Sequence, residues 1–304
     1  MRSGQLTEED CVELDKRLLT SLPPIDAETL SRTQFIVQRN SLRVKLNDQL
    51  ELSACRTQRR VGVVVLSEDV ITATNEAPNQ RLQQWIDTHG TAAQVGQLQR
   101  RTLYYIGQQV RFTQNICPEF GIANGSLGEI VGIHLDPEDN HVEHDEDGNV
   151  VPRTLPVLIL VKVPTLDSAL HEQFGVGIVP IKPVVAHGTL NVKPANSQER
   201  INIRYSRTAF PLIPTRCITD YKAQGSGFEN VVLDLDYPPA PGRSDFGLAV
   251  YVMLSRALSL SGLRVLRPFN HAKLQTPFPS YVRDEWNRMC SLSHAFLHTN
   301  PNLS

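Results

Sequence analysis

The stretch ITDYKAQGSGFENVVLDL, residues 218–235, joins a polar, glycine-bearing loop directly to an apolar run with the composition of a buried strand. Loops beside the strands of an α/β sheet are places where backbone amides, a lysine or an arginine meet a phosphate. Within TDYKAQGSG, 219–227, the chain supplies a hydroxyl, an aromatic ring, a lysine, a carboxamide and a flexible backbone. A nucleic-acid backbone calls for such a set: charge at Lys222, donors at Thr219 and Gln224, close approach at Gly225. An ordinary polar turn accounts for the same residues, and spacing alone favours it. A second junction, YVMLSRALSLSGLRVLRPF at 251–269, sets Arg256 on an otherwise apolar helix. Burying that guanidinium is costly unless it meets an anion. The anion is either a transferring phosphoryl group or a carboxylate such as Asp234 or Asp236, and the carboxylate is the commoner case.

Outward from these junctions the chain alternates strand-like and helix-like segments, which predicts an α/β sheet. Thr7 with Asp10 forms a capping box, a variant with Asp for Glu. It opens a helix that carries Cys11, Leu14, Leu18 and Leu22 on one face and ends at Pro23–Pro24. TQFIVQ reads as a short buried strand, NSLRVKLNDQLEL as a helix with Leu42, Leu46 and Leu50 on one face, and RVGVVVL (60–66) as a central parallel strand. From about 107 to 204 the runs are short and broken by Gly, Pro and Asn, the pattern of a small antiparallel barrel. DEDGN marks the tip of a long hairpin there. The α/β pattern resumes at FPLIPTRCITDYKAQG.

Composition bounds the function. The 304 residues are 40% hydrophobic and 20% charged, with a net charge of −2, so a nucleic-acid site has to be a local patch. Seven acids crowd into HLDPEDNHVEHDEDGN, 134–149. His141 and His144 in that loop read as surface residues and not as metal ligands. Five scattered cysteines without a Cys-x-x-Cys pair argue against a disulfide framework or a zinc ribbon. No apolar run is long enough to span a membrane, and the N-terminus is too acidic for a targeting peptide. The expected location is intracellular, nuclear in a eukaryote. RINIRYSRTAF interleaves Arg200, Arg204 and Arg207 with Tyr205 and Phe210, a candidate single-strand surface or simply a sheet strand.

Four blocks in order decide among these readings: FIVQRNSLRVKLND, IGQQVRFTQNICPEFGIANGSLGEIVGI, the 210–235 block and YVMLSRALSLSGLRVLRPF. Together they resemble the C-terminal half of a superfamily-one DNA helicase of the Pif/RecD-like group, which includes the helicases of Helitron transposons. The resemblance implies a RecA-like second motor lobe at 35–106 and 205–275, interrupted at 107–204 by an SH3-like β insert with the acidic hairpin 134–149. Residues 1–34 would be a helical connection from a first lobe, and 276–304 a C-terminal tail. Thr219, Lys222, Gln224 and Gly225 match motif V, Thr-x-His-Lys-Ser-Gln-Gly, with Tyr221 in place of His and Ala223 in place of Ser. YVMLSR resembles motif VI and makes Arg256 the arginine finger. In the resemblance Thr219, Tyr221 and Lys222 hold single-stranded DNA, while Gln224, Gly225, Glu229 and Arg39 face the nucleotide.

Such a motor works on ATP and Mg²⁺, cradled by a Gly-x-x-x-x-Gly-Lys-[Ser/Thr] loop. The sequence contains no Gly-Lys dipeptide. The expectation is a second motor lobe that binds single-stranded DNA, works with a first RecA-like lobe in cis or trans, and does not hydrolyse ATP by itself. The rivals are a non-catalytic single-stranded DNA-binding module and a truncated, transposon-derived relic.

Overall fold

A computed structural model describes residues 6–74, 80–139, 142–170, 172–193, 199–236, 246–275 and 279–299. His141, the first five residues of the expected connection and parts of the expected tail (276–278 and 300–304) lie outside the described residues. Two compact units divide the chain: residues 1–46 with 217–304, and residues 47–216.

The first unit begins with α1 (Glu8–Asp15), α2 (Ala27–Arg32), β1 (Gln34–Val37) and the start of α3 (Asn40–Thr57). The Thr7 capping box forms as expected. The Thr7 hydroxyl accepts from the Asp10 amide at 3.1 Å, and the Asp10 carboxylate accepts from the Thr7 amide at 2.9 Å. The helix stops at Asp15, however, well short of the prolines. Leu18 leaves the helical face and forms a parallel bridge with Val265, so its partly buried side chain meets the core beside the sheet and not through helix periodicity.

The chain then builds the second unit. Its elements are β2 (Val63–Leu66), β3 (Glu68–Thr74), α4 (Gln80–His89), β4 (Arg101–Tyr104), β5 (Gln109–Phe112) and β6 (Leu127–His134). They continue with β7 (Glu143–His144), β8 (Val150–Val151), β9 (Leu158–Lys162), β10 (Ile178–Ile181), β11 (Val184–Val192), β12 (Ile201–Ala209) and β13 (Leu212–Pro214). Three sheets result, ordered β10-β9-β6-β5-β13, β11-β12-β3 and β4-β2-β8-β7. The five-stranded sheet is antiparallel throughout and buries Val110, Phe112, Ile130, Ile159 and Val161. DEDGN turns the β7–β8 hairpin, with Gly148 at φ +75°. The RVGVVVL run departs from expectation. As β2 it pairs antiparallel with β4 and makes a single parallel contact with β8. Its β-branched residues make it a buried strand but carry no information about strand direction.

The first unit resumes with β14 (Cys217–Thr219), α5 (Asp220–Ala223), β15 (Val231–Leu233), α6 (Phe246–Leu254), β16 (Leu263–Val265), α7 (His271–Leu274) and α8 (Ser280–Thr299). Its sheet, ordered β14-β1-β15-β16, is parallel at every pairing. The strands are short and nearly all apolar, as a sheet covered on both faces requires. Cys11 and Leu14 of α1, Ala223 of α5, Val250 and Met253 of α6 and Leu274 of α7 join the strand residues in one core. This mixed α/β architecture with a parallel RecA-like sheet is the expected fold class.

Candidate functional site

Every candidate site residue belongs to the first unit, and the parallel sheet sets their positions. β14 ends at Thr219, whose extended backbone (φ −87°, ψ 158°) starts α5. One turn of helix then sorts the next four side chains. Asp220 and Ala223, three residues apart, face the core, while Tyr221 (61% exposed) and Lys222 face solvent. Ala223 is fully buried in the apolar cluster, so a serine hydroxyl there would point into the core.

After α5 the chain crosses from the carboxyl edge of the sheet to its amino edge. Gly225 takes φ +79° with open space where a side chain would be, so the requirement is conformational and not steric. Phe228 then pairs with the segment that follows α6. Its amide donates to the Arg256 carbonyl at 2.8 Å, and its carbonyl accepts from the Leu258 amide at 3.0 Å. The two connections approach so closely that a Cβ on Gly262 would lie 1.7 Å from the Glu229 carbonyl oxygen.

Arg256 is held by three neutral acceptors. Nε donates to the Val252 carbonyl at 3.0 Å, Nη1 to the Ser226 carbonyl at 2.8 Å and Nη2 to the Ser255 hydroxyl at 2.9 Å. Among the described residues no carboxylate pairs with it. Asp234 is instead engaged by Arg267, whose Nε and Nη2 donate to its two carboxylate oxygens at 2.8 and 3.0 Å. Nη2 of Arg267 also donates to the Asp236 carbonyl. The Asp234 side chain is completely buried, and its hydrogen bond with Arg267 raises the arginine's pKa. The carboxylate partner proposed for Arg256 from sequence therefore belongs to a different arginine.

Of the candidates, Glu229 and Arg256 lie on the paired connections at the amino edge, whereas Gln224 caps α5 and Gly225 follows it. Thr219 lies at the carboxyl edge, where β1 also delivers Arg39 two residues past Val37, the register partner of Thr219. Arg39 is thus at the opposite edge of the sheet from Arg256. At the start of α3 the Asn40 side chain accepts from Nε of Arg43 at 2.7 Å. Ser226, which anchors Arg256, was not singled out in the sequence because it acts through its carbonyl, and no side-chain pattern reports that.

Two other candidate features resolve differently. In β12, Tyr205 and Arg207 are fully buried, and Phe210 just beyond the strand is nearly so. Arg207 makes a bidentate pair with Asp69, 2.7 Å on each oxygen, while Arg204, and Arg200 just before the strand, are exposed. The strand is the central one of its sheet and presents no aromatic surface. The residues also do not fit a metal or a triphosphate. Among the described residues there is no cluster of three His, Cys, Asp or Glu side chains, Asp234 is committed to Arg267, and no Gly-Lys loop exists.

No family model matches the sequence, and no curated protein matches it. Solved structures do match, and what they show is the fold: the chain is similar in fold to solved helicases. The particular likeness is to Pif1 helicases. The Candida albicans Pif1 helicase aligns over 94% of this chain and 55% of its own, at TM-score 0.55 and 19% identity. Bacteroides Pif1 bound to ssDNA aligns over 95% and 51%, at TM-score 0.55 and 16% identity. Bacteroides Pif1 in complex with ADP-AlF3 and ssDNA aligns over 93% and 50%, at TM-score 0.52 and 16% identity. The chain spans about half the length of the structures it matches.

Proposed function

We propose that this chain is the second motor lobe of a 5′-to-3′ DNA helicase, binding single-stranded DNA through the 219–225 loop and presenting Arg256 as an arginine finger. The observation that carries this reading is the state of Arg256. It is a partly buried guanidinium with no carboxylate, tied through the Ser226 carbonyl to the loop that exposes Tyr221 and Lys222. A charge held by neutral acceptors stays available to an incoming anion, whereas a salt-bridged one does not. Lys222 supplies a point charge for a backbone phosphate, and Tyr221 a ring on which a base or sugar stacks. Bacteroides Pif1 has been captured bound to ssDNA and, in a further structure, with ADP-AlF3 and ssDNA, which is consistent with both roles. The phosphate cradle and the Mg²⁺ ligands would come from another lobe, in cis or in trans, since the 304 residues contain no Gly-Lys dipeptide.

The test is binding of labelled oligo(dT) at several salt concentrations. Lys222→Ala should weaken binding and lower the slope of log K against log salt by about 0.7, one single-strand phosphate contact. Tyr221→Ala should weaken binding with the slope retained. ATP hydrolysis by the purified chain should be absent with or without oligo(dT). DNA-stimulated turnover that Arg256→Ala abolishes would overturn the second-lobe reading. Salt-independent binding, or binding indifferent to both loop variants, would overturn the DNA assignment.

A further inference from the structure

Helix α3 closes on three exposed arginines within five residues, Arg56, Arg59 and Arg60. Cations beside the last carbonyls of a helix are ordinary, but Arg59 takes φ +51°, a left-handed conformation that suits glycine or asparagine better than arginine. Among the described residues no carboxylate pairs with Arg59 or Arg60, and the Arg60 guanidinium donates to the Ile106 carbonyl. Arg56 is the neutralised member, and its partner lies 91 residues away in the chain. Its Nε donates to Asp147 Oδ1 at 2.8 Å, and its Nη2 donates to the same oxygen.

Asp147 belongs to the acidic tip of the β7–β8 hairpin, and that tip is prebuilt. Asp145 Oδ1 accepts from the Asp147 amide at 3.0 Å and from the Asn149 amide at 2.9 Å, and the Gly148 amide donates to the Asp145 carbonyl at 2.9 Å. Burial pushes the Asp145 carboxyl up, but these bonds and the charge of Arg101 bring it below its ordinary value. The Asp145 carboxylate is thus engaged inside the turn, while Glu146 and Asp147 lie at its surface. The attachment to the rest of the sheet is slight. β8 pairs with β2 at one position, Val150 opposite Val63, with the Val150 amide donating to the Gly62 carbonyl at 2.8 Å. Buried Asn149 adds a clamp, its side-chain oxygen accepting from the Gly62 amide at 3.1 Å. A carboxylate meets a guanidinium as a phosphate does. Asp147 therefore stands against the arginines as a tethered phosphate would, on a rigid turn with few fastenings.

We propose that the 145–149 turn is an autoinhibitory cover, in which Asp147 occupies an arginine patch at the end of α3 that a nucleic-acid backbone takes when the turn is displaced. The proposal rests on the DNA-binding reading above for its ligand and adds a regulation which that reading lacks. It is tested on the full chain with labelled oligo(dT). Asp147→Asn keeps the shape of the side chain and removes its charge. An exposed ion pair contributes little to folding, so the variant should fold, and the melting midpoint checks this. Its affinity should rise about two- to five-fold at low salt, the release of one such pair. The slope of log K against log salt should steepen by about 0.7, one further single-strand phosphate. Adding Arg56→Gln to Asp147→Asn should remove both gains. Asn149→Ala, which frees the turn from Gly62 and changes no charge, should reproduce the gain in affinity.

A gain of equal size with Arg56→Gln present would mark a general charge effect and overturn the cover. No change in affinity or slope in Asp147→Asn, with wild-type binding still sensitive to Lys222→Ala, overturns the cover and leaves the 219–225 reading standing. Arg56-dependent binding by Asp147→Asn that Lys222→Ala does not affect overturns the 219–225 reading and leaves the cover standing. Binding by neither the wild type nor Asp147→Asn overturns both.

Discussion

Gly262 and Gly225 show two different reasons for a glycine. At Gly262 the neighbouring atom is backbone, the Glu229 carbonyl at 1.7 Å from a built Cβ, so Gly262→Ala has to push the two paired connections apart. We expect a loss of about 1–3 kcal/mol, the range for overpacking, read as a lower urea midpoint. At Gly225 the space is open and only φ +79° resists a side chain. Gly225→Ala should therefore cost about 1 kcal/mol, and Gly225→Asn less. Equal losses at the two positions would contradict this distinction. The Arg207–Asp69 pair behaves differently again. Both side chains are almost wholly buried, so removing one partner strands a charge, and Arg207→Ala should cost about 3–5 kcal/mol. A loss near zero would mean that water reaches Asp69.

Helix α3 marks the limit of what periodicity revealed. The sequence offers Leu42, Leu46 and Leu50 as the buried face, yet these are only partly buried. The buried positions are Arg43, Asn47, Glu51, Ala54 and Cys55. The helix was legible; its inner face was not, because polar residues go inside only where partners await them, and those partners are distant in sequence. Asn47 donates to the Pro214 carbonyl at 3.3 Å, and Glu51 accepts from the Tyr105 hydroxyl at 2.6 Å and from Nε of Arg216 at 3.3 Å. Burial raises the Glu51 carboxyl above its ordinary 4.5, against the pull of Arg216 and Tyr105. A carboxyl raised in the folded state binds protons more tightly there than in the unfolded chain. Its contribution is fully present below about pH 4.5 and is lost as pH rises through the folded value. The stability of Glu51→Gln relative to wild type should therefore improve as pH rises from 4.5 toward neutrality. Parallel pH profiles for the two proteins would contradict the assignment.

At the scale of the molecule, the parallel sheet and the antiparallel five-stranded sheet were both legible, because short β-branched runs and turn residues announce strands in either setting. Strand direction was not legible, as β2 shows, nor was which arginine would find Asp234. Both depend on pairings between segments tens of residues apart. Of the site, TDYKAQG and Arg256 could be read from residue type, while the Ser226 carbonyl required coordinates. The cysteines give a molecule-wide check on packing. Cys11, Cys55 and Cys217 are buried, and Cys117 and Cys290 are partly exposed. Burial is the chief reason the Cys55 thiol is pushed up to about 11 and the Cys217 thiol to about 12. A thiol reagent at neutral pH should modify only Cys117 and Cys290 in the native protein, and all five cysteines in denaturant. Rapid native labelling of Cys217 would show that β14, which positions the candidate loop, is not packed as described.

The measurement that bears most directly on the central claim is hydrogen exchange of the full chain with and without oligo(dT), resolved to short peptides. The account predicts slowed exchange across 217–229, where Thr219, Tyr221 and Lys222 meet the strand, with the buried β12 peptide unchanged. Protection confined to other segments, or none at saturating oligo(dT), would contradict the assignment of this loop as the DNA-gripping element of a helicase lobe.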